Sequence, residues 1–225
     1  MPQLAVGATS IDGLTVIDLD VHRDARGWFK ENWQRANMAA LGLPRFDPVQ
    51  HNMSYNPRKG ATRGIHGEPW DKLVSVAHGR VFAAWVDLRA DSPTRGRVES
   101  LEIGPETAVF VPAGVGNAYQ ALEDGTVYSY LVNEHWSPAA KSACGFVNLA
   151  DPALAIEWPI PLDQAEISTA DRAHPALADA TFLPPRSLVV IGADGQLGTE
   201  LMNQHPSAIG ATQADFDFRD PDTLD

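Results

Sequence analysis

Residues 72–88 read KLVSVAHGRVFAAWVDL, and this stretch decides the fold. Two valine-rich apolar runs, 72–77 and 81–88, lie on either side of a His78-Gly79 turn. Each run has the length and the β-branched content that are typical of a strand. The pattern therefore predicts two consecutive strands that form a hairpin.

The same pattern continues through the first three quarters of the chain. Further predicted strands are 14–19, 28–31, 97–103, 108–111, 118–122 and 126–132. Turn-forming pairs such as Gly104-Pro105 and Asp124-Gly125 separate them, and 36–43 is the one early segment that predicts a helix. Many short strands with polar turns and few helices predict a mainly β fold, an antiparallel sandwich or barrel, for which a cupin-type jelly roll is the natural choice.

The sequence changes in character after about Thr181, which predicts a domain boundary. We predict a jelly-roll domain over 1–182, a linker over 183–187, and a short C-terminal βα fragment of a Rossmann-like domain over 188–225. A continuous apolar strand there leads into a glycine-rich turn and a helical run, which lets backbone N–H groups approach a dinucleotide pyrophosphate. The candidate NAD(P)-binding residues are Gly192, Gly195, Gln196, Leu197 and Gly198.

Charge and cysteine content exclude several classes of protein. The 225 residues carry a formal net charge of -12, so binding to nucleic acid or to a membrane surface, which needs a basic face, is not expected. The single cysteine, Cys144, excludes an intramolecular disulfide framework and a multi-cysteine zinc site. No signal-like segment follows Met1 and no apolar run is long enough to span a bilayer, which favours a cytoplasmic protein.

The residues best suited to chemistry begin just before the predicted hairpin. Arg63, His66 and Lys72 place a guanidinium, an imidazole and an ammonium in one short segment. An imidazole titrates near neutral pH and suits proton abstraction, while fixed cations suit an anionic substrate and a developing oxyanion. The segment therefore predicts a proton-transfer site.

Ordered motifs from about Gly13 to Leu177 carry a resemblance to a known family. They are Asp24-x-Arg26-Gly27-x-Phe29-x-Glu31, Gln50-x-Asn52-x-Ser54, Arg63-Gly64-Ile65-His66, Lys72-Leu73-Val74, Val86-Asp87-Leu88-Arg89, Val111-Pro112-x-Gly114, Tyr130, Ser137-Pro138, Asp151-Pro152, Ile156-x-Trp158-Pro159 and Ile167-Ser168-x-x-Asp171. With these motifs the chain resembles the dTDP-4-dehydrorhamnose 3,5-epimerase family, as a divergent branch. The resemblance implies a cupin jelly roll, a homodimer, and an epimerase that works without metal or organic cofactor.

The resemblance also implies a reaction and the residues for it. Protons on C3 and C5, α to the ketone of a nucleotide-linked (dTDP) 4-keto-6-deoxy sugar, are removed and returned on the opposite face. His66 would be the general base, with Asp171 against its other ring nitrogen. Tyr130 would be the acid on the far side of the sugar, and Lys72 would stabilise the enolate oxygen. The implied substrate-binding residues are Arg26 and Arg63 at the pyrophosphate, with Phe29, Glu31, Gln50, Asn52 and Asn117 lining the pocket.

Other interpretations of these residues stay open. Lys72 could be a solvated edge lysine, Asp171 a helix cap, and Arg26 a structural arginine in a turn. Tyr128 competes with Tyr130, because a spacing of two puts both side chains on one face of a strand. The position relative to the following Ser-Pro pair in the family favours Tyr130. The other histidines are interpreted as surface or packing residues.

The chain departs from the family's usual pattern after His66. Gly67-Glu68 stands in place of an aromatic residue and a glutamine, and the loop before Lys72 is shorter. Asn117-Ala118 stands where the family tends to have His-Gly, and Trp136 where it has a second tyrosine. These departures change the pocket wall and leave the proton-transfer residues in place.

Two other functions are weighed against the epimerase. One is a cupin that binds a nucleotide sugar without turning it over; the other is a metal-dependent cupin, although the sequence has no His-x-His pair. The C-terminal turn also resembles the beginning of dTDP-4-dehydrorhamnose reductase, which acts next in the same pathway, so the parent protein is interpreted as a bifunctional enzyme. The later Tyr-x-x-x-Lys element of that reductase is absent here, so NAD(P)-dependent activity is not expected from these residues.

Overall fold

The computed structural model describes residues 4–185, 188–205, 208–212 and 214–215. The chain divides into two compact units, Met1–Pro184 and Pro185–Asp225. Leu183, the first residue of the predicted linker, is buried in the first unit, whereas Arg186 and Ser187 lie outside the described residues. Among the residues that are described, no helix is both long and apolar enough to cross a bilayer.

The first unit is mainly β, as predicted. Its strands are β1 (Ala5–Ala8), β2 (Thr15–Asp18), β3 (Val21–Asp24), β4 (Gly27–Lys30), β5 (Gln50–Asn56), β6 (Ala61–Gly67), β7 (Lys72–His78), β8 (Val81–Asp87), β9 (Val98–Ile103), β10 (Thr107–Val111), β11 (Val115–Ala121), β12 (Thr126–Val132), β13 (Gly145–Phe146) and β14 (Glu166–Ile167). Its helices are α1 (Arg35–Ala40) and α2 (Thr169–Arg172), with 3-10 helices at Ala140–Ala143, Pro152–Leu154 and Leu177–Asp179.

Two sheets pack face to face in this unit. One has the strand order β1-β2-β10-β7-β12-β5, and the other has the order β13-β6-β11-β8-β9, with β14 running parallel to β6. Strands β3 and β4 form a separate two-stranded antiparallel sheet. The main core lies between the two large sheets, where Val76 and Val109 of the first belong to the same buried cluster as Trp85 and Ile103 of the second.

The predicted hairpin over 72–88 is wrong. Strand β7 pairs with β10 and β12, whereas β8 pairs with β9 and β11, so the turn between them carries the chain from one sheet to the other. Both strands are also covered on their outer faces: Leu73 of β7 shares a buried cluster with Met38 and Phe46, and Val86 of β8 shares one with Leu149 and Leu154. A strand that is buried on both faces is an almost continuous apolar run, and such a run does not indicate which sheet it joins.

The second unit contains a strand, a turn, a helix and a strand. These are β15 (Val189–Ile191), α3 (Gln196–Gln204) and β16 (Ile209–Ala211), with β15 and β16 paired in parallel. In the turn the Gly195 N–H donates to the Gly192 carbonyl at 2.9 Å, and Gly192 has φ +73°, a conformation that favours glycine. A Cβ on Gly198 would collide with the Gly192 backbone, so helix and turn approach closely. The Rossmann-like assignment of this unit stays a prediction.

Candidate active site

Strand β6 carries Arg63 and His66, and a bulge places both side chains on one face. Residues three apart in a regular strand point to opposite faces. Here His66 pairs with Asn117 of β11 and Arg63 pairs with Tyr119, so two residues of β6 stand opposite one residue of β11. The side chains of Arg63 and His66 therefore accompany those of Asn117 and Tyr119 into the same cavity.

Gly64 makes this bulge sterically possible. Its φ is +122°, which side-chain-bearing residues rarely adopt. A Cβ at this position would lie 2.5 Å from the Cβ of Ala118 in the facing strand. The site thus depends on a glycine that contributes no functional group to it.

Three adjoining cavities form a groove along this face. The central cavity is lined by Ser54, Arg63, His66, Glu68, Lys72, Asn117, Tyr119, Tyr128 and Tyr130. A second cavity shares Arg63 and His66 with the central one and is also lined by Asp171; we call it the dyad cavity, after the pair His66 and Asp171. The edge cavity shares Glu68 and Tyr130 with the central cavity and is also lined by Gln50, Asn52, Trp70, Val132 and Trp136. The groove brings together eight of the predicted site residues, namely His66, Tyr130, Asp171, Lys72, Gln50, Asn52, Arg63 and Asn117.

Three predicted substrate-binding residues lie away from these cavities, on or beside the β3–β4 sheet. Arg26 is exposed and its guanidinium pairs with the Asp24 carboxylate at 2.5 Å. Phe29 is 68% exposed. Glu31 accepts hydrogen bonds from Gln34 and Asn37 next to α1. Within a single copy of the chain, none of these three lines the central, dyad or edge cavity.

His66 and Asp171 form a hydrogen-bonded pair in the groove. The Nε2 of His66 lies 2.9 Å from Oδ1 of Asp171, which is buried at the end of the first turn of α2. The Ser168 hydroxyl caps this helix by accepting from the Asp171 N–H at 3.0 Å. Burial raises the pKa of the Asp171 carboxyl, but the hydrogen bond and charge of His66, together with the Gly64 N–H and the charge of His174, outweigh it, so its pKa lies below the ordinary value. Asp171 is therefore a carboxylate that orients the imidazole.

Because of the His66–Asp171 pair, we expect the folded protein to lose stability in acid. An aspartate in the unfolded chain has a pKa of about 3.9, and the folded value lies below it, so the stabilisation is present above about pH 5 and is lost as the pH falls through the folded pKa. Replacing Asp171 with asparagine should remove this contribution. Urea unfolding of both proteins at several pH values should show a stability difference that is constant near neutrality and shrinks below about pH 4. A difference that grows in acid would contradict the assignment.

The structure separates the two competing tyrosines. Tyr128 is fully buried, its ring stacks on Tyr119 with centroids 4.1 Å apart, and its hydroxyl donates to Asn117 at 3.0 Å. Tyr130 is only partly buried and borders both the central and the edge cavity. Burial raises the pKa of the Tyr130 phenol, and the Glu68 carboxylate raises it further. Tyr130 therefore keeps its proton at neutral pH and can donate it.

Lys72 is buried at the start of β7 and is not a solvated edge residue. Its side chain is 5% exposed and forms an ion pair with Glu68, one of the residues that departs from the family's pattern. The Lys72 ammonium also lies 5.9 Å from the centroid of the Tyr130 ring. One cation is thus held between a carboxylate and an aromatic ring at the wall of the central cavity. Sequence reasoning named Glu68 as a departure and did not find its contact with Lys72.

His174 is a second histidine near the dyad, and the sequence predicts only a surface or packing role for it. Its Nε2 lies 3.9 Å from Oδ1 of Asp171. Its ring packs against His66 and Phe146, with centroid distances of 5.4 and 4.9 Å. The three-residue spacing from Asp171, across the end of α2, is the signal that could have found it.

The chain as a whole is similar to known proteins. The family model for dTDP-4-dehydrorhamnose 3,5-epimerase matches residues 8–179. A Streptococcus pyogenes protein named RmlC homolog is 46% identical over 183 residues, which are 79% of this chain and 91% of that protein. The dTDP-4-dehydrorhamnose 3,5-epimerase of Methanothermobacter thermautotrophicus is 35% identical over 73% of this chain and 89% of its own.

Solved structures of this family are also similar to the chain. RmlC from Streptococcus suis, in complex with dTDP-D-xylose, has a TM-score of 0.77 and 44% identity over 81% of this chain and 96% of its own. RmlC from Legionella pneumophila, in complex with dTDP-4-keto-L-rhamnose, has a TM-score of 0.72 and 30% identity over 82% of this chain and 100% of its own.

Proposed function

The chain belongs to the dTDP-4-dehydrorhamnose 3,5-epimerase family, and from this premise we propose how its groove carries out the reaction. The protein is a dTDP-sugar 3,5-epimerase of dTDP-rhamnose biosynthesis, which is an isomerase. One observation carries the assignment of the site: a histidine–carboxylate pair, a buried lysine and a partly buried phenol border one groove. The two packed sheets are assigned to the cupin-type jelly roll.

His66 removes the proton next to the ketone. Because its Nε2 is bonded to Asp171, the other ring nitrogen, Nδ1, accepts the proton from C5 or C3 of the 4-keto sugar. Asp171 fixes the tautomer of the imidazole and stabilises the imidazolium that forms. The electron pair of the broken C–H bond moves into an enolate, whose negative oxygen meets the Lys72 ammonium.

Tyr130 returns a proton to the opposite face of the carbon. The raised pKa of Tyr130 keeps the phenol protonated until it transfers its proton to the carbon of the enolate. A base, an acid and a fixed cation are sufficient for this chemistry, so we propose that the reaction uses no metal and no organic cofactor. Arg63 would hold the pyrophosphate of the nucleotide through its planar guanidinium. Trp136 in the edge cavity has a half-exposed indole, on which the thymine ring of the nucleotide would stack.

The proposed assembly is a homodimer. Phe29 on β4 and Met53 and Tyr55 on β5 are exposed apolar side chains, and β5 is the edge strand of its sheet. An exposed apolar edge of this kind favours pairing with another chain. If the β3–β4 sheet reached across to a second copy, Arg26, Phe29 and Glu31 would border that copy's groove, in agreement with their predicted role in substrate binding.

The second unit is proposed to be an incomplete NAD(P)-binding fragment. Its parallel βαβ arrangement and the close approach of Gly198 to the turn are the features that support this proposal. Residues 206–207, 213 and 216–225 of the predicted fragment lie outside the described residues. A cytoplasmic location is proposed for the whole chain, since a single cysteine is typical of proteins without a disulfide framework.

Deuterium exchange with the Tyr130→Phe variant tests the proposed function. In heavy water the wild-type protein should place deuterium on C3 and C5 of a dTDP-4-keto-6-deoxy sugar and invert those centres. The variant keeps His66, so label should still enter, while formation of the inverted product should fall by about 10²-fold. The matched control is Tyr55→Phe, which removes the hydroxyl of an exposed tyrosine outside the groove and should change neither quantity.

Two outcomes would contradict the proposal. Binding of the nucleotide sugar without any exchange by the wild-type protein would select the non-catalytic cupin. Unchanged product formation by Tyr130→Phe would remove Tyr130 from the mechanism while leaving the epimerase activity in place.

A further inference from the structure

Three metal-ligating atoms converge beside the dyad cavity. They are a ring nitrogen of His66, a carboxylate oxygen of Asp171 and a ring nitrogen of His174, and all lie within 4.8 Å of one another. The oxygen Oδ1 of Asp171 is 2.9 Å from the His66 nitrogen and 3.9 Å from the His174 nitrogen. The epimerase mechanism uses the first two residues and gives no role to His174.

Neighbouring groups hold these donors in place. Asp171 is fixed by the Ser168 cap and by the Gly64 N–H, which donates to Oδ2 at 3.4 Å. The segment carrying His174 is anchored by the Asn148 side-chain amide, which donates to the His174 carbonyl at 3.1 Å. A ligand set that is already positioned needs little rearrangement when an ion arrives, and such supporting groups strengthen metal binding.

The donor types select a class of metal. Two imidazole nitrogens and one carboxylate oxygen suit Zn²⁺, which takes such ligands at about 2.0–2.2 Å with tetrahedral geometry. The hard cations Mg²⁺ and Ca²⁺ prefer sites built from oxygen alone. Because His66 and Asp171 border the dyad cavity, that cavity gives the ion a route in and leaves its fourth position open to water.

We propose that His66, Asp171 and His174 bind one Zn²⁺ ion, and that this ion inhibits the enzyme. Zinc bonds to Nε2 of His66 and to an oxygen of Asp171 in place of the proton that these two atoms share, and that proton passes through solvent to Nδ1 of the ring. Nδ1 then has no lone pair with which to accept the proton of the sugar, so the base is blocked. The binding site stands on the three donors alone, whereas the inhibition rests on the proposed function.

The test compares His174→Phe with the wild-type full-length protein. Phenylalanine keeps a ring against Phe146 and His66 but removes the donor atom. The matched control is His22→Phe, since His22 is also paired with an aspartate, Asp20 at 3.5 Å, and also packs on a phenylalanine, Phe29. Circular dichroism of all three proteins shows whether they are folded before any metal is added.

Metal binding is measured first without substrate, because a pyrophosphate would chelate the ion. Calorimetric titration with Zn²⁺ should give one site in the wild type and in His22→Phe. The affinity should be weaker by at least about 10-fold in His174→Phe, since loss of a group that merely supports a ligand already costs about 10–100-fold. Titration with Co²⁺ should give the visible absorption of a tetrahedral site in the first two proteins and lose it in the third.

Inhibition is measured next, as the ratio of rates with and without buffered Zn²⁺ for each protein. We expect His174→Phe to need at least about 10-fold more zinc for the same fractional inhibition. Equal affinity and equal inhibition in the wild type and His174→Phe would overturn the proposal, as would the absence of a Co²⁺ spectrum in the wild type. Zinc binding by a protein without epimerase activity would support the metal site and overturn the proposed function. Epimerase activity in a protein that binds no zinc would support the proposed function and overturn the metal site.

Discussion

The His66→Asn variant should lose about 10²–10⁴-fold in kcat and should no longer place deuterium on C3 or C5 of the sugar. Asparagine has no nitrogen that accepts a proton, and its shorter side chain also loses the hydrogen bond that Nε2 of His66 makes with Asp171. Exchange into the substrate isolates the step that His66 performs, because it requires the C–H bond to break whether or not the product is released. Proton nuclear magnetic resonance of the sugar in heavy water measures it directly.

A second histidine provides the control for this result. His51 on β5 lies 2.7 Å from the Ser129 hydroxyl and is exposed, between two residues that face the edge cavity. His51→Asn should keep the wild-type exchange rate. Exchange by His66→Asn at a rate close to that of wild type would show that another group removes the proton.

Replacing Lys72 with methionine should lower kcat by about 10²–10³-fold and change KM much less. The ammonium interacts more strongly with an enolate oxygen than with a neutral ketone, so its loss is felt in the transition state. Steady-state rates and the rate of deuterium entry should fall together, since both depend on forming the enolate.

The same variant should also be less stable, because Glu68 loses its partner. Breaking a buried ion pair by removing one charge costs about 3–5 kcal/mol, and the 17% exposure of the Glu68 side chain favours the lower end of that range. The double variant Lys72→Met with Glu68→Gln removes both charges. It should regain most of the unfolding free energy while kcat stays low. If kcat returned with the stability, the effect of Lys72 would be structural and its role at the enolate would be wrong.

Strand positions could be predicted from the sequence, but sheet membership could not. Apolar runs and turn residues located the strands that became β7, β10 and β12 to within a few residues. The prediction that β7 and β8 pair was wrong, because a short turn allows either a hairpin or a change of sheet. Burial on both faces removes the alternation that would have distinguished the two.

The site shows a similar division. Residues that carry chemistry in a family motif, such as His66 and Lys72, could be named from the order of motifs along the chain. Contacts made by the fold could not: the ion pair of Glu68 with Lys72 and the approach of His174 to Asp171 depend on how loops return to β6 and β7. The choice of Tyr130 over Tyr128 rested on the family's spacing to the following Ser-Pro pair, because period-two alternation does not contain the depth of each side chain.

The bulge in β6 makes the length of one short segment a condition for activity. Two residues separate Arg63 from His66, whereas only one residue separates their partners in β11. This one extra residue in β6 keeps both side chains in the groove. Loss of a single residue from the segment would remove the bulge and restore regular pairing. The side chains on one side of the deletion would then move to the opposite face of the sheet, and different residues would face the groove. Natural variation at this point should therefore occur as substitutions that keep the count and the glycine, while insertions and deletions collect in the loops that follow the strand.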